Sequence, residues 1–304
     1  MSDTGISPSS GARQTARPGT AGAIRLPTHW LGVAPFFIFS LMFLILPTLY
    51  LVVGAFQNDR GEFTLENIVA LSQPSILAAY WISIKVSVVS AILGALAGVA
   101  IAIAIVRGGL PGWARSATLT FSGVASNFAG IPLAFAFLAT LGRLGLVTVI
   151  LHLWFGIDIY STGFNILSFW GLTLTYLYFQ IPLMVVIITP AIDGLKREWS
   201  EAAATLGATQ FQYWRMVAIP VLWPSFLGTV ILLFANAFGA IATAYALTGS
   251  SLNIVPILLY AQIRGDVLHN PHLGYALAFG MIFITGLANV FYIWFRSRSE
   301  RWLK

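Results

Sequence analysis

The amino-acid sequence predicts an all-α membrane protein, a polytopic bundle of six transmembrane helices. Composition, the grouping of apolar residues and the distribution of charge all point to it. Of 304 residues, 58% are hydrophobic and only 9% are charged, and the mean hydropathy is +0.85. Soluble domains carry about 25% charged residues, so this chain lacks the polar surface that would coat a water-facing globule. Its apolar residues gather into stretches of about 20 residues or more, long enough to cross about 30 Å of hydrocarbon as helices. Composition therefore argues against a soluble enzyme. The lack of cysteine removes disulfides, thiolate catalysis and Cys-based metal sites together.

Residues 1–27 are rich in Ser, Gly, Thr and Arg and include Pro18. Such a segment buries too little apolar surface to offset its ordering entropy, and reads as a mobile cytoplasmic tail. It is too polar, and runs too long before the first apolar stretch, for a cleaved signal peptide. Residues 28–304 read as the transmembrane domain. Spans are expected at 31–56, 82–106, 117–141, 164–190, 217–247 and 273–295. Weaker apolar pieces at 144–155 and 252–263 are too short or too broken to cross, and are expected at the interface or re-entering.

Orientation follows from the basic residues. Twelve of sixteen fall on the side that holds both termini: Arg13, Arg17, Arg25, Arg107, Arg115, Lys196, Arg197, Arg215, Arg296, Arg298, Arg301 and Lys304. Arg60, Lys85, Arg143 and Arg264 fall on the other, and the acids divide evenly. The positive-inside rule then places both termini in the cytoplasm. It also accounts for the net charge of +6 without a nucleic-acid partner. Lipid is the surrounding partner.

No residue set supports catalysis. All ten carboxylates fall in tails, loops or the segment after the fourth span, so none is placed for the proton relay that self-powered carriers need at membrane depth. A phosphate-binding loop requires Gly-Lys followed by Ser or Thr, whereas the three lysines follow Ile84, Leu195 and Leu303. His269 and His272 flank Asn270-Pro271 and read as a solvated turn rather than a metal site; His29 and His152 read as interfacial. No cofactor or metal is expected.

The informative segment lies between the fourth and fifth spans: Glu198-Trp-Ser-Glu-Ala-Ala-Ala-Thr-Leu-Gly207, running on to Pro220. Alanine favours helix, and early glutamates suit a helix N-terminus. Gly207 can supply a left-handed stop. A second helical stretch then leads into the fifth span, with Arg215 near the membrane surface and Pro220 constraining the backbone. Ala202 and Ala203 leave a face without bulk, beside the charge of Glu201.

This segment resembles the "EAA" motif of ABC-transporter permeases of the type I importer kind: Glu-Ala-Ala, three residues, Gly, nine residues, then Ile-x-Leu-Pro. Glu201-Ala202-Ala203, Gly207 and Val217-Ala218-Ile219-Pro220 keep that spacing, with Val217 for Ile and Ile219 for Leu. The resemblance covers residues 80–295 approximately. It implies a permease subunit in a bacterial inner membrane that forms half of a pathway for a small solute and works by alternating access, with the energy supplied by a partner ATPase. It also implies a cytoplasmic coupling helix in which Glu201 contacts the ATPase, Ala202 and Ala203 pack in its groove, and Gly207 permits the turn. The implied partners are ATP-binding-cassette ATPase subunits, a second permease (a heterodimer in preference to a homodimer) and a periplasmic solute-binding protein. The stretch that follows the fifth span, from Leu247 to Ala278, is similar to permeases of the spermidine/putrescine-like branch. That branch also handles phosphonates, thiamine and ferric ions, so the similarity implies a polyamine-like solute only weakly. The competing reading is a self-contained channel or facilitator that needs no ATPase.

Polar residues within apolar spans are the expected pathway candidates, because lipid would leave them unsatisfied. They are Asn127, Gln180, Asn236, Thr243 and Tyr245. Each has an alternative reading as an interhelical hydrogen bond. Gly94, Gly98, Gly239 and Ala240 are expected at close helix contacts, and Pro132, Pro182 and Pro190 at kinks.

Overall fold

A computed structural model describes residues 29–264 and 270–299. The expected tail at 1–27 and His269 lie outside the described residues. The described residues form α-helices and two short π-helical segments, with no strand beyond a single bridge between Gln57 and Phe63. The helices are α1 (His29–Ser40), α2 (Leu46–Gly54), α3 (Glu66–Ala70), α4 (Pro74–Arg107), α5 (Gly112–Asn127), α6 (Ile131–Leu141) and α7 (Leu146–Phe155). They continue as α8 (Phe169–Asp193), α9 (Arg197–Thr205), α10 (Gln210–Tyr213), α11 (Ile219–Phe238), α12 (Ile241–Thr248), α13 (Val255–Arg264) and α14 (Pro271–Ser299).

The chain divides into two units, residues 1–49 and 50–304. The first contains α1, with Pro35 inside it, and the π segment Leu41–Ile45 that leads into α2. Proline explains both π segments. Pro47 follows Leu41–Ile45 by two residues, as Pro220 follows Trp214–Ala218. A proline offers no N–H and crowds the carbonyl four residues before it, so the ladder slips to a wider turn. Leu46 and Ile219 accordingly donate to Leu41 and Trp214, five residues back.

In the second unit α8 is the central helix, packing on α4, α5 and α11. Small residues allow its closest approach. Along α4, Ser83, Ser87, Ser90, Ala91, Gly94, Ala95, Gly98 and Ala102 are buried at three- and four-residue spacing. A Cβ on Gly94 would stand 2.9 Å from Gln180 Cβ, and one on Gly98 would stand 2.5 Å from Met184 Cβ and 2.8 Å from the Ile181 carbonyl. Both glycines therefore serve close helix contact, as expected.

Three clusters make up the core. One joins Leu133 and Ala134 of α6, Leu172, Tyr176 and Phe179 of α8, and Ala244 and Leu247 of α12. A second lies toward α9 and joins Ala95 and Ala102 of α4, Met184, Ile188 and Ile192 of α8, Leu195, Tyr213 and Leu222. The third unites Ile76 and Tyr80 of α4 with Phe238, Val255 and Leu277, and the Tyr80 hydroxyl donates to the Leu277 carbonyl at 2.7 Å.

Among the described residues, six stretches are long and apolar enough to cross a membrane: Gly32–Gly54, Pro74–Arg107, Ile131–Phe155, Phe169–Asp193, Gln210–Phe238 and Pro271–Trp294. The count agrees with the sequence reading, but the third and fifth stretches differ from it. Residues 117–141 are interrupted at 128–130, where α5 ends and α6 begins. Helix α5 carries Ser116, Thr118, Thr120, Ser122, Ser126 and Asn127, so the apolar stretch of membrane length falls instead on α6 and α7. The fifth expected span is likewise interrupted at Gly239-Ala240, between α11 and α12. Pro132 begins α6 rather than kinking it.

Candidate functional site

The segment that follows α8 is a helix–turn–helix whose geometry can be derived residue by residue. Helix α9 opens on Arg197, with Glu198 in its first turn. It ends in a reciprocal pair of backbone bonds: Gly207 N–H donates to the Ala204 carbonyl and Ala208 N–H to the Ala203 carbonyl, both at 2.9 Å. This arrangement needs a left-handed residue after the C-cap, and Gly207 adopts φ +78°. A Cβ there would meet no atom within 4 Å, so the demand for glycine is conformational and not steric. Helix α10 begins at once behind a capping box. The Thr209 hydroxyl accepts from Gln212 N–H at 3.3 Å, and Thr209 N–H donates to Gln212 Oε1 at 2.7 Å.

Glu201 and Ala202 are exposed on α9, and Glu201 Oε1 accepts from Arg197 Nε at 3.0 Å, a pairing one turn apart. Ala203 turns the other way: it is half-buried against the second core cluster, against which Trp214 and Val217 also pack. The motif thus presents one edge outward and uses the other to seat α9 on its own chain. Leu206 and Phe211 are also exposed, at 88% and 72%, and extend the outward edge with apolar surface.

Two arginines absent from the sequence-based site hold the base of this segment. Arg107, the last residue of α4, donates from Nη2 to the Leu195 carbonyl at 2.9 Å. Arg115, at the start of α5, donates from Nη2 to Asp193 Oδ2 at 2.6 Å.

The five pathway candidates divide into two groups. Gln180 and Thr243 are buried. Gln180 Nε2 donates to Ser90 Oγ at 2.8 Å, joining α8 to α4, and Thr243 Oγ1 accepts from Gly130 N–H at 2.7 Å. Asn127, Asn236 and Tyr245 are exposed. Asn127 Nδ2 donates to the Gly123 carbonyl at 2.8 Å, and the Tyr245 ring meets that of Tyr260 at 5.2 Å.

Asn127 and Asn236 each stand three residues before the glycine of a helix interruption, Gly130 and Gly239. The segments read Asn-Phe-Ala-Gly-Ile and Asn-Ala-Phe-Gly-Ala-Ile, a near-repeat that was available in the sequence as a signal. Gly130 adopts φ +79°, closed to other residues without strain. The two interruptions meet. Besides the Gly130–Thr243 bond, the Tyr176 hydroxyl of α8 donates to the Ala240 carbonyl at 3.1 Å. Gly239, expected at a close helix contact, instead opens this interruption, where a Cβ on it would meet only the Ala235 carbonyl, at 3.6 Å; Ala240 packs against the first core cluster.

These features define a class: a polytopic α-helical membrane protein with interrupted helices meeting inside the bundle and a short amphipathic helix–turn–helix at one end. Residues 121–304, more than half of the chain, match the family described as "Binding-protein-dependent transport system inner membrane component", and the chain belongs to that family. It is therefore a multi-pass permease component of a transport system. It is 27% identical over 243 residues to the sulfate transport system permease protein CysT of Salmonella typhimurium, covering 79% of this chain and 83% of that one. It is 25% identical over 231 residues to the spermidine/putrescine transport system permease protein PotC of Escherichia coli K12, covering 74% and 80%. Among solved structures, a bacterial ABC transporter that imports the acidic polysaccharide alginate shares the fold. The TM-score is 0.69 at 18% identity, over 91% of this chain and 96% of that one.

Proposed function

We propose that this permease forms half of the translocation pathway of an ATP-binding-cassette importer, with α9 as its cytoplasmic coupling helix. Family membership supports the transport role. The observation that carries the coupling assignment is local. Glu201-Ala202-Ala203 and Gly207 fall on an exposed helix and its left-handed stop, between two helices of membrane length. In this reading Glu201, Ala202 and the exposed Leu206 meet the ATPase, and the energy of ATP hydrolysis enters through that contact alone. The chain itself is a conduit and performs no chemistry. Both termini lie in the cytoplasm, as the basic residues require. The pathway is lined by Asn127, Asn236 and Tyr245, whereas Gln180 and Thr243 hold the bundle.

The partners are ATPase subunits, a second permease of different sequence and a periplasmic binding protein. We assign solute choice to the binding protein. Relatives 25% and 27% identical to this chain are named for solutes of opposite charge, polyamines and sulfate. A polyamine-like solute is thus one member of the range open to such a permease.

The test is a variant that keeps the bundle and spoils the docking edge. Glu201→Arg with Gly207→Val reverses the charge and places a β-branched residue at a left-handed backbone position, which costs about 1–2 kcal/mol locally. The variant should insert normally while the co-purified ATPase falls by at least about tenfold, the effect of losing about 1.4 kcal/mol of binding. Unchanged co-purification would remove α9 from the coupling role and return the channel reading to first place.

A further inference from the structure

The junction beneath α9 joins three helix ends, and its charges are placed where local helix stability does not call for them. Arg115 lies at the end of the first turn of α5, near the positive pole of that helix; Asp193 is the last residue of α8, at its negative pole. Each charge opposes its own helix dipole. What favours them is each other, at 2.6 Å. The pair is also half-exposed, with side-chain accessibilities of 40% and 38%, and exposed ion pairs add little to stability. The arrangement suits a mechanical link better than a stabilising one.

Three further observations say what is linked. Only Gly194, Leu195 and Lys196 separate α8 from α9. Leu195 is buried in the second cluster and its carbonyl is held by Arg107, so α9 cannot swing independently of the end of α8. Helix α5 packs along α8 but contributes no residue to that second cluster, so toward α9 its polar tie is the Arg115–Asp193 pair. At its other end, about 18 Å from Arg115 at 1.5 Å per residue, α5 stops at Asn127 and the interruption whose Gly130 N–H is bonded to Thr243 of α12.

We propose that the Arg115–Asp193 pair, backed by Arg107 on the Leu195 carbonyl, is the strut that delivers displacement of α9 to α5 and thence to the paired interruptions. Arg115 and Asp193 are positioning residues. The inference rests on the coupling-helix reading and names the contact through which it works.

The natural absence of cysteine allows a clean reporter. Asn127→Cys is installed in the full chain, assembled with its ATPase and second permease in lipid nanodiscs. After ATP-dependent uptake by the reporter assembly has been verified in liposomes, its labelling by a membrane-impermeant maleimide is measured without nucleotide and after trapping with ATP and vanadate. In the otherwise native assembly the two rates differ. Arg115→Ala and Asp193→Ala each reduce that difference by at least about fivefold, the lower end of ordinary couplings between sites, while the ATPase still co-purifies. The exchanged pair, Arg115→Asp with Asp193→Arg, restores it, because both charges then also suit their helix poles. A merely structural pair would not show that separation of docking from response. The strut is overturned if Arg115→Ala keeps the full difference, if it releases the ATPase, or if the exchanged pair fails to restore the response. An otherwise native assembly that shows no nucleotide effect at the reporter sinks the coupling-helix reading itself, and the strut with it.

Discussion

Thr243 carries more of the structure than its size suggests. Its hydroxyl accepts the Gly130 N–H at 2.7 Å, at a point where an interrupted helix has no backbone carbonyl to offer that donor. Thr243→Val keeps the shape and deletes the acceptor, leaving a backbone N–H without its partner, which costs about 1–3 kcal/mol. Thermal unfolding of the detergent-solubilised protein should register that loss for Thr243→Val, and Thr243→Ser should recover most of it. Equal stability of the Val variant and the native chain would show that the two interruptions are not joined in this way. Gln180 is a different case. Its Nε2 reaches Ser90, but its Oε1 is buried with no partner among the described residues. Both side chains were legible as polar residues within apolar spans; their partners were not, because each bond reaches across 90 or more residues of sequence.

At the scale of elements, close approach of α4 to α8 depends on what Gly98 lacks. A side chain there meets the Ile181 carbonyl at 2.8 Å, and backbone cannot yield as a flexible side chain can. Gly98→Val should therefore destabilise the bundle by about 1–3 kcal/mol, the usual cost of overpacking. Gly123 of α5 supplies the control, since a Cβ there has nothing within 4 Å. Equal melting temperatures for Gly98→Val and Gly123→Ala would contradict this placement of α8 on α4. The helix–turn–helix around Gly207 was the most legible element, because its first helix and its stop are decided within about a dozen residues by propensity and φ. The interruptions were the least legible. Asn127-Phe-Ala-Gly130 and Asn236-Ala-Phe-Gly239 sit within apolar surroundings, and hydropathy reads through them as continuous spans. The strut was hidden for the opposite reason: Arg115 and Asp193 look like ordinary loop charges until α5 and α8 are seen to end side by side.

For the whole molecule, the six membrane-length stretches among the described residues leave large apolar residues uncovered, including Trp81 and Leu96 of α4 and Phe283, Leu287 and Phe291 of α14. Without hydrophobic gain between helices in lipid, association depends on close contact and hydrogen bonds. The small-residue face of α4 and the Tyr80, Gln180 and Tyr176 bonds supply both. The six-span count and helical class were readable from composition and from the grouping of apolar residues along the chain, whereas solute identity has no counterpart in the bundle: the candidates Asn127, Asn236 and Tyr245 are all uncharged.

The central claim is that this permease works only as part of an ATP-driven assembly. The most direct measurement is gentle extraction of the tagged full-length chain from its own membranes, followed by mass spectrometry of what accompanies it. The predicted result is recovery of an ATP-binding-cassette ATPase together with a second permease. Recovery of the chain alone, together with solute flux in liposomes that is indifferent to ATP, would contradict it.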